Sequence, residues 1–244
     1  MIEICLFMLG TIAESFTETV AYRKIRQENY ITRRSHCEHC DHQLSGFDLL
    51  PIVGYVLLKG RCRYCHQKIS WIHPLLEVAG GCLTVGCYWR YGMTLEMMVI
   101  VLICFDLFMI SYIDSVTQYI YGSELLAFFI GSLFIRINQG FYWLDLIFAG
   151  TVSMAMGLMN LLIHDSFGSG DIAVMLIAGL LLGGKQNIMA MMIAVLLAGF
   201  YCGWLLFCRR ASRHDHIAFG PFMASGIIIT LFFGQYFMVW WNAL

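Results

Sequence analysis

The stretch Phe167-Gly168-Ser169-Gly170-Asp171 lies between two long apolar runs, residues 144–163 and 172–182. Two glycines two positions apart let the backbone turn tightly and let a second chain come close to it. An aspartate at the entrance of a membrane helix is costly unless it is hydrated, paired or used in chemistry. An ordinary loop with a helix-capping aspartate is the simpler interpretation, and the rest of the chain decides between the two.

The two apolar runs belong to a composition that is typical of an integral membrane protein. Of the 244 residues, 59% are hydrophobic and only 13% are charged, against roughly 25% charged residues in soluble domains. Windows of roughly 20 apolar residues predict an all-α polytopic membrane protein with about eight transmembrane helices in a lipid bilayer. The formal net charge of -1 predicts no nucleic-acid partner. The predicted spans are residues 2–20, 74–91, 95–113, 122–137, 141–163, 171–184, 187–208 and 217–241.

Lysine and arginine predict the orientation of these helices, because cytoplasmic loops carry an excess of both residues. Nine of the fifteen lie within residues 23–68, and Arg209, Arg210 and Arg213 lie just before the last predicted span. Eight spans place both regions on the same side of the membrane. We therefore expect residues 23–73 to face the cytosol and both termini to lie outside.

The cytosolic segment contains two CxxC pairs, Cys37 with Cys40 and Cys62 with Cys65, separated by twenty-one residues. This spacing is typical of a structural zinc site in which two knuckles supply four thiolates. The histidines beside these cysteines are alternative ligands, and disulfides are a competing interpretation that a reducing cytosol disfavours. A metal ion would stabilise a polar segment too small to bury a core of its own. The predicted domains are a first transmembrane helix at 1–21, a zinc-type cysteine domain at 22–73 and a seven-helix membrane core at 74–244.

Two aspartates are predicted to meet at the cytosolic face of the membrane. The third span ends in the cytosol at Asp114, and the fifth span returns there just before Asp171. Two carboxyl groups brought together do not both ionise, and such a pair activates a water molecule and protonates a leaving amine, as in aspartic proteases. Two unrelated helix caps are the alternative. Asp106 lies about two turns inside the membrane, and Asp165 lacks the glycine pair, so both are weaker candidates.

These motifs and their order resemble the bacterial type IV prepilin leader peptidases, which are A24-type GxGD membrane aspartic proteases, including the competence-associated branch. The resemblance covers nearly the whole chain, and the order and spacing of the motifs make it specific. The matching segments are Ser15-Phe16 with Val20-Ala21-Tyr22-Arg23, both CxxC pairs, residues 57–65, residues 69–77 with Pro74 and Glu77, Gly168-Ser169-Gly170-Asp171, and Phe219-Gly220-Pro221-Phe222.

The resemblance implies a catalytic pair formed by Asp114 and Asp171. It also implies a substrate, namely the basic leader of a pilin-like precursor, cut just after a glycine at the cytosolic face of the bacterial cytoplasmic (inner) membrane. The active site and the cysteine domain would both face the cytosol. The implied substrate-binding residues are Gly168, Gly170, Phe219, Gly220 and Pro221.

Many members of this family also methylate the new amino terminus with S-adenosylmethionine, and the resemblance implies this activity as a second one. The chain departs from the family pattern at Glu14 and Glu18, where glycine and asparagine are usual, in the region associated with methyl transfer. It also has Ala173 in place of a lysine, and Ile120-Tyr121-Gly122 in place of an IPD-like turn. None of these departures touches the two aspartates.

Two other classes of protein are compatible with parts of the sequence. A multi-helix transporter would place ionisable residues near the midplane of several helices and show broken helices in paired halves. A membrane-anchored zinc binding module would carry its function on the cysteines. In that module, Asp114 and Asp171 would be dispensable.

Overall fold

The computed structural model describes residues 1–29, 35–37, 39–140, 147–163, 166–208 and 217–243. The described residues form helices, with two isolated β-bridges and no named strand. The helices are α1 (Ile2–Ile25), α2 (Val53–Leu57), α3 (Ile72–Tyr91), α4 (Leu95–Thr117), α5 (Gly122–Gln139), α6 (Thr151–Leu162), α7 (Ser169–Leu182), α8 (Gly184–Phe207) and α9 (Gly220–Ala243). The predicted features outside the described residues are Arg33, Arg34, residues 141–146 of the fifth span, Asp165, Arg209, Arg210 and Arg213.

The prediction of an all-helical membrane protein is confirmed. Within the described residues, four helices are long and apolar enough to cross a membrane: Ile2–Ile25, Leu95–Thr117, Gly184–Phe207 and Gly220–Val239. Thr151–Leu162 and Ser169–Leu182 are apolar but shorter. Each of the eight predicted spans overlaps a helix, and the number of helices that cross the bilayer remains a prediction.

Two of the differences between helix boundaries and predicted spans have local reasons. Helix α1 continues past residue 20 to Ile25, because Tyr22, Arg23 and Lys24 are good helix formers or neutral and no glycine or proline interrupts them. Within the fifth predicted span, α6 begins only at Thr151, directly after Gly150. Glycine disfavours the interior of a helix, which is consistent with a boundary at this position.

The chain divides into two compact units, Met1–Val101 and Leu102–Leu244. In the first unit, α1 packs against α3 through small residues that let the two backbones approach closely. A Cβ atom added at Gly10 would lie 2.7 Å from the carbonyl oxygen of Gly80, and one added at Gly80 would lie 2.6 Å from the Cβ atom of Glu14. The side chain of Glu14 is therefore enclosed in this helix pair, and the residue is 2% exposed.

In the second unit, α7 packs against α5, α6, α8 and α9. The buried amide of Asn187 in α8 donates hydrogen bonds to the carbonyl oxygens of Ala149 (3.2 Å) and Met175 (3.1 Å). Gly179 packs directly on the Ala149 carbonyl group, where any side chain would collide. These contacts fix α7 among its neighbours, and Asp171 lies in the first turn of this helix.

Candidate active site and metal centre

Asp114 lies three residues before the end of α4 and is 5% exposed. Its Oδ2 accepts a hydrogen bond of 2.7 Å from the backbone N–H of Gly220, the first residue of α9. A Cβ atom at position 220 would lie 2.7 Å from this same oxygen and 2.9 Å from the Asp114 Cβ atom. Only glycine therefore fits between α9 and the carboxylate without a shift.

Asp171 lies at the third position of α7, and its Oδ2 accepts a hydrogen bond of 3.3 Å from the backbone N–H of Gly168. The helix-cap interpretation of the glycine turn is thus partly correct, since this carboxylate does satisfy an amide before its own helix. Asp171 also lies close enough to Asp114 for the charge of one carboxyl group to act on the other. The cap and the pairing with Asp114 coexist at the same residue.

Two further contacts link the Asp171 segment, one to the residues that follow α4 and one to the start of α9. Gly170 packs on Ile120, which follows the end of α4, and an added Cβ atom would lie 3.0 Å from the Ile120 Cβ atom. Ile120 is 9% exposed. The rings of Phe167 and Phe219, which precede the two site glycines, lie with their centroids 5.9 Å apart. The structure therefore brings together Asp114, Asp171, the glycine turn and the start of α9.

The competing aspartates do not join this group in the described residues. Asp106 belongs to α4 and lies eight residues before Asp114, about 12 Å away along the helix axis. Asp165 lies outside the described residues.

Asn160, in the last turn of α6, is a residue that the sequence analysis did not select. Its Oδ1 accepts hydrogen bonds from the Phe167 N–H (2.8 Å) and the Ser166 hydroxyl (2.6 Å), and its Nδ2 donates to the Phe167 carbonyl oxygen (2.8 Å). The amide thereby fixes the backbone just before Gly168. The one feature of the sequence that could have indicated Asn160 is that its amide side chain stands alone near the end of a long apolar run.

Replacing Asn160 with alanine is expected to displace Asp171 without unfolding the protein. The substitution removes three hydrogen bonds that hold the backbone before Gly168. Because a misplacement of about 1 Å costs on the order of a hundredfold in rate, kcat for the reaction of this site should fall by about 10- to 100-fold. Asn138→Ala is the matched control, because among the described residues Asn138 bonds only to the Phe134 carbonyl oxygen of its own helix. An Asn160→Ala protein with the same kcat as Asn138→Ala would show that the amide does not position the site.

The four predicted metal ligands converge in the first unit. The Sγ atoms of Cys37, Cys40, Cys62 and Cys65 all lie within 4.8 Å of one another, and all four thiols are free. The Cys37 and Cys65 sulfur atoms are 3.8 Å apart, which is close to the edge of a tetrahedron with zinc–sulfur bonds of about 2.3 Å. The donor set and its spacing therefore fit a zinc ion.

The described residues of the two CxxC loops share a positive φ and two backbone hydrogen bonds at equivalent positions. In each loop the residue after the second cysteine, Asp41 or His66, has a positive φ and donates its N–H to the carbonyl oxygen of the first cysteine. Each first cysteine in turn donates its N–H to a carbonyl oxygen five residues later, in His42 and Gln67. The sequence spacing thus produces a pair of matching knuckles around one ligand cluster.

The environment of Cys62 favours a thiolate. Burial by itself raises the pKa of this thiol, but the N–H groups of Cys65 and Tyr64 and the neighbouring thiols outweigh burial and lower the pKa to about 7. The neighbouring histidines have other contacts: His36 lies 3.5 Å from Asp41, and the His42 ring stacks on Tyr64 with 3.6 Å between centroids. The cluster that could hold a metal ion in the described residues consists of cysteines.

Two family models match the chain in succession. The Bacterial Peptidase A24 N-terminal domain matches residues 8–91, and the Type IV leader peptidase family matches residues 100–203. The two matches contain all four cysteines, Asp114, Asp171 and Asn160.

Similar proteins carry the name prepilin leader peptidase/N-methyltransferase. One from Bacillus subtilis (strain 168) is 28% identical over 235 residues, which are 94% of each chain. One from Burkholderia pseudomallei (strain 1026b) is 30% identical over 86% of this chain and 70% of its own. One from Neisseria gonorrhoeae is 29% identical over 84% of this chain and 73% of its own. No solved structure matches significantly. With these similarities over most of its length, this chain belongs to the prepilin leader peptidase family.

Proposed function

We propose that the chain is a membrane aspartic endopeptidase that removes the basic leader of type IV pilin-like precursors, with Asp114 and Asp171 as the catalytic pair. The observation that carries the proposal is that Gly170, next to Asp171, packs on Ile120 after the Asp114 helix, while each of the two carboxyl groups is held by a glycine N–H. Names of relatives support the same substrate class.

The proposed reaction is a hydrolysis that needs one ionised and one protonated aspartate. The carboxylate takes a proton from a water molecule, whose oxygen attacks the carbonyl carbon of the scissile peptide. As the C–N bond breaks, the protonated partner gives its proton to the leaving amine nitrogen. Gly220 holds one oxygen of Asp114, so its proposed part is to fix the direction of that carboxyl group before the water arrives.

The residues predicted to bind substrate remain a proposal: Gly168, Gly170, Phe219, Gly220 and Pro221. Gly168 is exposed and lies beside Asp171, so it leaves room for an extended peptide. Gly170 and Gly220 also pack on Ile120 and Asp114, which gives them a second proposed role in shaping the site.

Cleavage by the purified full chain is the experiment that tests this function. The protein is reconstituted in liposomes with a pilin-like precursor, and the leader and the mature product are followed by gel and by mass spectrometry. We expect one cut, directly after the glycine that ends the leader, and none in a precursor with that glycine replaced. An intact precursor at all enzyme concentrations would favour the transporter or the zinc module instead.

Methyl transfer from S-adenosylmethionine is a second proposed activity, supported by the names of the relatives. Glu18, one of the departures from the family pattern, forms a contact of 2.6 Å with His73 of α3. The Glu18 carboxylate therefore has a partner between α1 and α3. The mass of the mature product in the same assay, with and without S-adenosylmethionine, decides whether a methyl group is added.

We further propose that the cysteine cluster holds a structural zinc ion and that the site faces the cytosol from the inner membrane. The predicted result for purified protein is about one zinc ion per chain, and Cys62→Ser should lose nearly all of it. Residues 35–68 should then become sensitive to trypsin, because a segment of this size depends on its metal. Cys208→Ser, at an exposed thiol after α8, is the control. Unchanged metal content in Cys62→Ser would contradict the site.

A further inference from the structure

The short helix α2 presents an apolar face that the described residues leave largely exposed. Val53, Val56 and Leu57 lie three and four positions apart, so they share one side of this helix, and they are 45%, 65% and 72% exposed. Gly54 lies on another side and packs against the carbonyl oxygen of Asp48, 2.7 Å from an added Cβ atom. We call the exposed side, formed by Val53, Val56 and Leu57, the α2 face.

Helix α2 is fixed at the depth where α3 begins. The N–H of Ile52, directly before α2, donates a hydrogen bond of 2.7 Å to the Glu77 carboxylate. Glu77 lies less than two turns inside α3, and helical side chains tilt toward the helix N-terminus. This contact keeps the start of α2 close to the entrance of α3. The residues that follow α2 are held by a second hydrogen bond, which the Ile69 N–H donates to the Gly60 carbonyl oxygen at 2.8 Å.

Two exposed tryptophans mark the ends of the apolar part of α3. Trp71 precedes the helix and Trp89 lies in its last turn, and they are 66% and 71% exposed. The rise of the helix from Trp71 to Trp89 is about 27 Å, close to the hydrocarbon thickness of about 30 Å. Because tryptophan prefers the membrane–water interface, Trp71 places the entrance of α3 at one interface. With α3 spanning the bilayer, as the sequence predicts, the α2 face would lie at the level of the lipid headgroups.

A basic groove adjoins the α2 face. An open cavity of about 580 Å³ is lined by Leu57, Leu58, Lys59, Arg61, Cys62, Arg63 and His66. Arg63 is paired with Asp48 at 2.7 Å. Lys59 and Arg61 form no ion pair within the described part of the chain. Two free cations beside three exposed aliphatic side chains suit the phosphate and acyl parts of one anionic phospholipid.

We propose that the α2 face, together with Lys59 and Arg61, is a docking surface for anionic phospholipids of the bilayer that the chain spans. The aliphatic side chains enter the interfacial layer and the two cations bind headgroup phosphates. The same cations would repel the basic leader of the proposed substrate, so charge complementarity favours lipid over leader at this surface. Docking holds the cysteine domain against the membrane surface.

The test places a fluorescent dansyl amino acid at position 56 of the full chain, in nanodiscs that each hold one copy. The discs contain phosphatidylcholine alone or equal parts of phosphatidylcholine and phosphatidylglycerol, with or without brominated acyl chains as quenchers. The control probe replaces Asp41, whose side chain is 79% exposed in the first knuckle. We expect quenching at position 56 but not at position 41, and more quenching in the anionic discs.

Charge variants separate lipid binding from simple proximity to the bilayer. Arg61→Ala should weaken the docked state in anionic discs by about fivefold, the effect of one basic residue at such a surface. Arg90→Ala removes one arginine from the opposite end of α3 and should leave the quenching unchanged. Unquenched fluorescence at position 56 in both lipids, or quenching indifferent to lipid charge, would overturn the proposal. Two further preparations use discs with two copies of the chain and discs with added precursor. If the probe at position 56 were buried only in one of these preparations, the α2 face would bind a protein and not lipid.

Discussion

Asp114→Asn and Asp171→Asn are each expected to reduce the rate of leader cleavage by at least about a thousandfold, because a general acid or base that cannot ionise leaves the proton transfers to water. Asparagine keeps the size of the side chain. Its oxygen can still accept the N–H of Gly220 at position 114 or of Gly168 at position 171. We therefore expect both variants to fold, and the precursor to bind but remain uncut in the gel assay.

Asp106→Asn is the matched control for these variants. It changes the same chemical group in the same helix as Asp114, two turns away from the site. Cleavage by this variant should stay within a few-fold of the unmodified protein. Loss of cleavage in all three variants, with a common loss of thermal stability, would indicate a structural effect and not catalysis.

Gly220→Val is the second large effect that we expect. The added Cβ atom would lie 2.7 Å from the Asp114 Oδ2 and 3.0 Å from its Cγ, so either the carboxyl group or the start of α9 has to move. A displacement of about 1 Å in a catalytic group costs on the order of a hundredfold in rate. We expect kcat to fall by at least that factor, with a smaller change in KM.

The control for Gly220→Val is Ser225→Ala, one turn further along α9. The Ser225 hydroxyl is exposed and bonds to the Pro221 carbonyl oxygen of its own helix, so its loss tests whether any change near this helix start impairs cleavage. A Gly220→Val protein that cleaves as fast as Ser225→Ala would show that the contact with Asp114 does not matter for the reaction.

The sequence predicted the helices well because the signal for a membrane helix is an apolar stretch of fixed minimum length. The cysteine cluster was equally predictable from the sequence, because the ligand spacing of a zinc site is present within each CxxC pair. The start of α6 at Thr151 could not be predicted in this way, because it depends on where one glycine interrupts an otherwise uniform apolar run.

The contacts inside the candidate site could not be predicted from the sequence. The counting of spans brought Asp114 and Asp171 to one face, but it gave no reason to connect Gly220 with Asp114 or Ile120 with Gly170. These pairs are distant in sequence and meet through tertiary packing. Asn160 was missed for a similar reason, since an amide in an apolar run has no pattern that reveals the three hydrogen bonds it makes to a later loop.

The central claim is that Asp114 and Asp171 act as one catalytic unit, and the double variant tests it most directly. Single-turnover cleavage is measured for Asp114→Asn, Asp171→Asn and the protein with both changes, at equal enzyme and precursor concentrations. Residues that act as a unit show non-additive losses, so the double variant should be no slower than the slower single variant. Losses that multiply, or a single variant that cleaves at the unmodified rate, would contradict the claim.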